Sequence, residues 1–314
     1  MPADYKLRLV TKVAQLYHEK GYLQKKIARQ LHLSQATISR LLKTAKKENI
    51  VKTIVSVPSG VYSDLETKIE KKYGLQEVVI ADSPSPAYDD ILRSIGNAAA
   101  NYIETTISNN EIIGISSWSS TLLSMVNAMQ PLNKIENTKV VQILGGIGNP
   151  AAETHASHLI KRLASLVNGE AIFLPAPAVT PPDSTPKVYL KDEFVKKAID
   201  MFKEVSLTLV GIGTLEPSQL LANSGNIFSE KELEELNENG AIGDICLHFF
   251  DESGSPIVTS LNKRVISMGL DQIRRVERAV GIAGGKHKSK AIQAALKGNL
   301  INILITDIYT AKKL

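Results

Sequence analysis

The chain has 314 residues, of which 43% are hydrophobic and 22% charged, enough apolar material for a large buried core and too balanced for a disordered or fibrous protein. Its lone cysteine, Cys246, excludes an intrachain disulfide and fits a reducing cytoplasm. No charged-then-apolar leader opens the chain, and no apolar run approaches the roughly 20 residues that span a bilayer, so a soluble cytoplasmic protein with no membrane partner is expected.

The net charge of +5 is unevenly placed. Residues 1–57 carry 12 Lys and Arg against 3 Asp and Glu, while the remainder is net negative. A basic excess confined to one segment is what phosphate neutralisation requires. Within it, the periodicity predicts a basic amphipathic helix over residues 7–20, with Leu9, Val13, Leu16 and Tyr17 on one face and Gly21 ending it. Residues 24–42, QKKIARQLHLSQATISRLL, then set Ile27, Ala28 and Leu31 on one helical face. Leu33 fills a turn, Ser34 stands as N-cap, and Ile38, Leu41 and Leu42 repeat the face on a helix reaching about Lys47. Two short helices sharing a core through a tight turn form the helix-turn-helix unit, whose second helix lies in the major groove of double-stranded DNA. Gln35, Thr37 and Arg40 project away from the apolar side. Gln suits adenine, Arg suits guanine, Thr37 suits a phosphate or a thymine methyl, and Lys43 suits the DNA backbone together with Lys46 and Lys47.

Residues 50–57 alternate like a short strand, and Pro58-Ser59-Gly60 breaks the pattern. The expected boundary falls there: a helix-turn-helix domain, winged or simple, over 1–57, and a second domain over 58–314. Residues 62–73 predict a polar helix with the stripe Leu65, Ile69 and Tyr73. From Val78 onward, apolar runs at 78–81, 112–116, 140–144, 171–176, 207–213, 279–283 and 301–306 alternate with helical stretches. That pattern indicates an α/β fold, a doubly wound, mostly parallel Rossmann-like sheet covered on both faces. Residues 248–258, HFFDESGSPIV, predict a hairpin turned by Asp251, Gly254 and Pro256.

In open α/β sheets, ligands gather at the carboxyl ends of strands. Gly145, Gly146 and Gly148 follow the third run, either as a tight turn or as a phosphate cradle, without the spacing of a dinucleotide fingerprint. Lys288 opens a helix against its dipole, either to grip an anion or as a solvated side chain. Asp244 stands at the edge of apolar surroundings and has to be satisfied, by sugar hydroxyls or by capping the turn before it. The hydroxyl-rich turn from Ser116 to Thr121 can donate to a phosphate or hydroxyl, or cap a helix. His155 and His158 share a helix face but lack partners for a metal, and no Walker loop or nucleophile elbow is present, so neither metal nor cofactor is expected.

The blocks ARQLHLSQATISRLLKTAKKENIV, GISSWSSTL, LGGIGN, LVGIGT, GAIGDICLHFFDESG, GIAGGKHKSKAI and INILITD occur in this order. Together, from about Leu9 to Lys313, they resemble the SorC family of bacterial transcriptional regulators. The resemblance implies an N-terminal DNA-binding domain followed by an effector domain similar to sugar-phosphate isomerases and deaminases. It further implies a sugar phosphate, sugar or polyol as effector and a homotetramer or dimer of dimers. Effector contacts would fall on the Gly145–Gly148 loop, Asp244 and Lys288. Three positions depart from the family pattern: Leu23 replaces a capping Thr, His32 replaces a turn glycine, and the Trp118 turn lacks an arginine that bears on whether the effector is phosphorylated. The expected function is operator binding controlled by a small carbohydrate, not an enzymatic one. The competing expectation is a sugar-phosphate isomerase or deaminase with an attached DNA-binding segment, its base Asp244 or Glu153, although no pair of titratable groups is spaced for proton transfer.

Overall fold

The structure is a computed structural model describing residues 3–51, 58, 60–181, 186–217, 219–226 and 228–314. The chain divides into two compact units, residues 1–58 and 59–314. In the first, α1 (Ala3–His18), α2 (Gln24–Gln30) and α3 (Gln35–Lys47) bury Val10, Val13, Ile27, Ile38 and Leu42 in one small core. Gly21 takes φ +65°, a left-handed conformation that glycine adopts without strain, and so lets α1 end. The Ser34 hydroxyl accepts the Thr37 N–H at 3.1 Å and caps α3. Helix α2 has no such cap: Leu23 occupies the position, exposed and without a side-chain bond. His32 holds the turn at φ +51°, where a Cβ is tolerated at a cost. The strand expected over 50–57, and with it any wing, lies from residue 52 on outside the described residues.

The second unit is built on strands β1 (Glu77–Ala81), β2 (Ile112–Ile115), β3 (Lys139–Gln142), β4 (Glu170–Ile172) and β5 (Leu207–Val210). A short hairpin, β6 (Gly243–Ile245) and β7 (His248–Phe250), precedes β8 (Arg278–Ile282) and β9 (Ile303–Asp307). Seven strands form one parallel sheet in the order β1-β9-β8-β5-β2-β3-β4. Val, Ile and Leu dominate these strands because both faces are covered, and β5 and β9 are buried along their whole length. Helices α5 (Tyr88–Thr106), α6 (Ser120–Ala128) and α7 (Pro150–Leu166) cover one face, with Ile95, Leu122 and Leu159 against Ile113 and Ile305. On the other face, Ile69 of α4 (Ser63–Tyr73) and the helix Ser289–Lys297 join Val210 and Leu304 in a second core.

The chain runs from β2 through β3 to β4 at one edge, returns to β5, and continues through β8 and β9 the other way. Its direction therefore reverses between β2 and β5, the place where an open α/β sheet leaves a crevice. At the opposite edge, β1 has outward N–H groups with no strand beside them. Glu70 accepts the Val78 N–H at 3.0 Å and Glu66 accepts the Ile80 N–H at 2.9 Å, one helical turn apart on α4.

One expectation is corrected. The apolar run 171–176 pairs as a strand only to Ile172. Beyond it the backbone turns to serve the loop after β3, where the Ile147 N–H donates to the Ala176 carbonyl at 3.1 Å. The hairpin expected over 248–258 is present: the Asp251 N–H donates to the Ser255 carbonyl at 3.0 Å, the Ile257 N–H to the Phe249 carbonyl at 2.9 Å, and Phe250 bridges Pro256, while β7 also pairs upstream with β6 in a hairpin the sequence did not announce.

Candidate functional site

A cavity of about 330 Å³ opens at the carboxyl ends of the strands, at the reversal between β2 and β5. Trp118, Ser119 and Ser120 line it after β2, Gly213 after β5, Asp244 from the hairpin and Lys288 after β8.

Asp244 is half-buried and fixed on two sides. Gly213 and Asp244 exchange backbone hydrogen bonds at 2.9 and 3.3 Å, and the carboxylate lies over Gly213 in space that a Cβ would fill. Its Oδ2 accepts the Leu247 N–H at 3.0 Å. That N–H is aimed by a two-residue turn in which Cys246 and Leu247 sit at φ +53° and +64°. Such turns favour Asn-Gly, so a Cys and a Leu there hold strain of about 1–3 kcal/mol each in the course of presenting the donor. Burial pushes the Asp244 carboxyl up to about 6, with the Leu247 N–H and the Lys288 ammonium opposing the rise. Next to it, burial pushes the Cys246 thiol up and the His248 imidazole down to about 4. His248 Nε2 lies 2.9 Å from the Ser267 Oγ, which donates to the Cys246 carbonyl at 2.9 Å, so the histidine is spent on holding the turn.

Lys288 is half-buried at the entry to the helix Ser289–Lys297, and burial lowers its ammonium pKa while Asp244 raises it. The glycines before it are positional. Gly285 takes φ +97°, and its N–H donates to Asp307 Oδ2 at 2.9 Å and to Thr310 Oγ1 at 2.8 Å; a Cβ on Gly284 would overlap the same carboxylate. Asp307, wholly buried at the end of β9, thereby sets where Lys288 stands. Asp244 and Lys288 do not close into an ion pair. Among the described residues, the Asp244 Oδ1 and the Lys288 ammonium have no hydrogen-bond partner, so both are open to a ligand. The N-terminus of α6 adds donors: Ser119 Oγ caps it by accepting the Leu122 N–H at 3.3 Å, and Ser120 Oγ lies 3.0 Å from the Tyr88 hydroxyl.

Of the residues expected from sequence, Asp244 and Lys288 are brought together, and Thr121 is buried within α6 without lining the cavity. Gly145, Gly146 and Gly148 do not line it either. The N–H groups of Gly145 and Gly146 donate to the carbonyls of Ile266 at 3.0 Å and Leu174 at 3.5 Å, which leaves neither for an anion. Gly145 packs against Pro177 with no room for a Cβ, and its carbonyl accepts the Trp118 indole N–H at 2.9 Å. The loop is the tight turn rather than the cradle, and it holds Trp118 in the cavity wall. His287, beside Lys288, lines the cavity too, as do Tyr88, Thr214 and Glu216; sequence reasoning missed these last three, their one signal being that they follow strand ends.

On α3, Gln35, Arg40 and Lys43 are exposed opposite the buried Ile38, Leu41 and Leu42. Thr37 is half-buried, its hydroxyl 2.8 Å from Ser34 Oγ and 3.5 Å from Arg40 Nη2. The side chain of His155 lies outside the described residues. Among the described residues no three His, Cys, Asp or Glu side chains gather as a metal site, and no helix is long and apolar enough to cross a membrane.

The Sugar-bind family model, a sugar-binding domain, matches residues 59–314. The deoxyribonucleoside regulator of Bacillus subtilis (strain 168) is 34% identical over 309 residues, covering 98% of this chain and 97% of that protein. The chain belongs to the SorC family of transcriptional regulators. A second relative, the erythritol catabolism regulatory protein EryD of Brucella abortus (strain 2308), is 31% identical across 99% of this chain and 98% of its own length. The crystal structure of the full-length sorbitol operon regulator SorC from Klebsiella pneumoniae superposes with a TM-score of 0.72 at 28% identity, covering 99% of both chains. This SorC-family chain is thus a transcriptional regulator carrying a sugar-binding domain, with N-terminal helices that fit a DNA-binding domain.

Proposed function

We propose that the chain binds double-stranded operator DNA through residues 1–57 and changes its operator affinity when a small polyhydroxylated effector enters the cavity of residues 58–314. One observation carries this reading: Asp244, with one carboxylate oxygen free of hydrogen bonds among the described residues, and Lys288, whose ammonium is likewise free of them, line the same cavity at the strand reversal. A carboxylate accepts from neighbouring hydroxyls, as a sugar or polyol presents them. The Lys288 ammonium and the α6 N-terminus suit an anionic end such as a phosphate. The relatives' names refer to deoxyribonucleosides, sorbitol and erythritol, all of which carry sugar or polyol hydroxyls.

On DNA, Gln35 and Arg40 meet base edges while Thr37 and Lys43 meet the backbone. The second domain also carries assembly into a homotetramer or dimer of dimers, which spaces helix-turn-helix units along the operator, in the cytoplasm. Regulation is favoured over catalysis because the relatives are named as regulators, and His248, next to Asp244 in the hairpin, is turned to Ser267 rather than to the cavity. The test titrates the promoter fragment of the protein's own gene by fluorescence anisotropy at fixed salt, with and without sugars, polyols and their phosphates. A shift in operator affinity with no turnover of the compound is the expected result. Turnover by mass spectrometry would favour the enzyme instead, and binding that leaves operator affinity unchanged would remove the proposal.

A further inference from the structure

Two hydrogen-bonded tracks leave the cavity and converge on the loop 82–88, which joins β1 to α5. The first begins at Tyr88, half-exposed on the cavity rim, with its hydroxyl 3.0 Å from Ser120 Oγ at the N-terminus of α6. From there the loop is laced internally: Ser85 Oγ accepts the Ala87 N–H at 3.1 Å and donates to Asp90 at 2.5 Å, and Ser83 Oγ donates to the Ser85 carbonyl at 2.9 Å. The second begins behind Lys288, where the Gly285 N–H donates to Asp307. Asp307 Oδ1 accepts the Tyr309 N–H at 2.9 Å, and the Tyr309 hydroxyl donates to the Ser83 carbonyl at 3.3 Å. At the near end of the loop, Asp82 Oδ1 accepts the Tyr62 hydroxyl at 2.5 Å, and Asp82 Oδ2 stands 3.2 Å from where a Cβ on Gly60 would be. Gly60 and Tyr62 are among the first residues of the second unit, directly after the boundary at residue 58.

Resting on the effector reading above, we propose that the loop 82–88 is the coupling element of this regulator, and that Tyr62 bound to Asp82 is the clasp through which cavity occupancy reaches the segment leading from the DNA-binding unit. A coupling element needs a contact that differs between two states. The Ser120 hydroxyl supplies it: it lies 3.0 Å from the Tyr88 phenol, and a ligand hydroxyl or phosphate at the α6 N-terminus competes for the same hydroxyl. Tyr88, half in solvent, has room to leave. The Lys288 loop, drawn to the same ligand, acts on Ser83 through Asp307 and Tyr309. Both changes arrive at Asp82, whose carboxylate holds the Tyr62 hydroxyl at the start of α4.

The test uses the full chain and the variants Tyr62→Phe and Asp82→Asn, neither of which touches the cavity. Pentose and hexitol phosphates and their parent polyols are screened by thermal shift, and the compound with the largest shift serves as the probe. Calorimetry gives its Kd, and anisotropy gives operator affinity with and without it. The probe's Kd is expected to stay at the wild-type value in both variants. The ratio of operator affinities, about 5–150-fold in effector-controlled proteins, is expected to fall towards one. Hydrogen exchange in the wild type should change on probe binding within residues 60–66 and 82–88. Variants that keep the wild-type ratio, or exchange in those segments that ignores the probe, overturn the clasp while leaving the effector reading intact. A wild type that binds no member of the panel, or binds one without any operator response, overturns the effector reading and the clasp together.

Discussion

A methyl group on Gly213 would overlap the Oδ1 of Asp244, the carboxylate oxygen without a hydrogen-bond partner among the described residues, and the two residues are locked together by a pair of backbone hydrogen bonds. Gly213→Ala therefore has to move either the strand end or the carboxylate. The expected outcome is a folded protein destabilised by about 1–3 kcal/mol, the usual range for overpacking. Its polyol affinity should fall about as far as in Asp244→Ala. Thermal melts read the first effect and calorimetric titration the second; wild-type affinity in Gly213→Ala would show that Oδ1 does not touch the effector.

Asp244 and His248 impose opposite pH dependences on stability. The Asp244 pKa rises from 3.8 in the unfolded chain to about 6 in the folded one, so its contribution is complete below pH 3.8 and is lost as pH rises through about 6. The His248 pKa drops from 6.5 to about 4, so its contribution is complete above pH 6.5 and is lost as pH falls through about 4. Each has a limiting slope of about 1.4 kcal/mol per pH unit, and in the wild type they largely cancel. Relative to wild type, Asp244→Asn should gain stability as pH rises from 4 to 6, and His248→Gln should lose it. Denaturant melts across that range compare the three proteins, and parallel curves would contradict the assignment.

Lys288→Gln separates the two ends of the ligand. Losing a charge-assisted bond should weaken phosphorylated or carboxylated ligands by about 1.5–3 kcal/mol while leaving neutral polyols near their wild-type affinity. Calorimetry with a sugar phosphate and its parent sugar measures the difference; equal losses for both would assign Lys288 a structural role only.

On the DNA side, Arg40→Ala should cost about 1–3 kcal/mol and relax one operator position. Lys43→Ala should weaken all sequences alike and reduce the slope of log affinity against log salt by about one. Anisotropy titrations on the operator and on single-base variants over a salt series distinguish the two roles.

Leu23 offers a gain. It occupies the N-cap of α2 without capping it and is 76% exposed. Leu23→Ser should stabilise the N-terminal unit by about 0.5–2 kcal/mol, read as a raised melting temperature of that unit.

Much of the fold could be read from the sequence because burial on both faces of a parallel sheet leaves continuous apolar runs, and because Gly21 and Ser34 mark helix ends by chemistry that acts locally. The run 171–176 misled because Phe173 to Ala176 are as apolar as a strand, yet the Leu174 and Ala176 carbonyls accept from the loop after β3. The β6–β7 hairpin went unread because Cys246-Leu247 carries none of the usual turn chemistry. Asp244 and Lys288 stood out as charges interrupting strand ends. Gly145 and Gly146 did not declare their role: a glycine needed for a close approach of backbone and one needed to cradle an anion are the same letter. What decides between them is which carbonyl takes the N–H, and Ile266 lies far along the chain. Tyr88 and Tyr62 gave no signal, since each is an ordinary aromatic near a helix start whose importance comes from what its hydroxyl reaches.

The glutamates of α4 have a consequence for how copies of this regulator can meet. By occupying the outward amides of β1, Glu66 and Glu70 seal that rim of the sheet against any incoming strand. Association between subunits is thereby steered to helical and loop surfaces, where contacts are discrete and reversible, and this rim is closed to the open-ended strand-by-strand growth that leads to fibres.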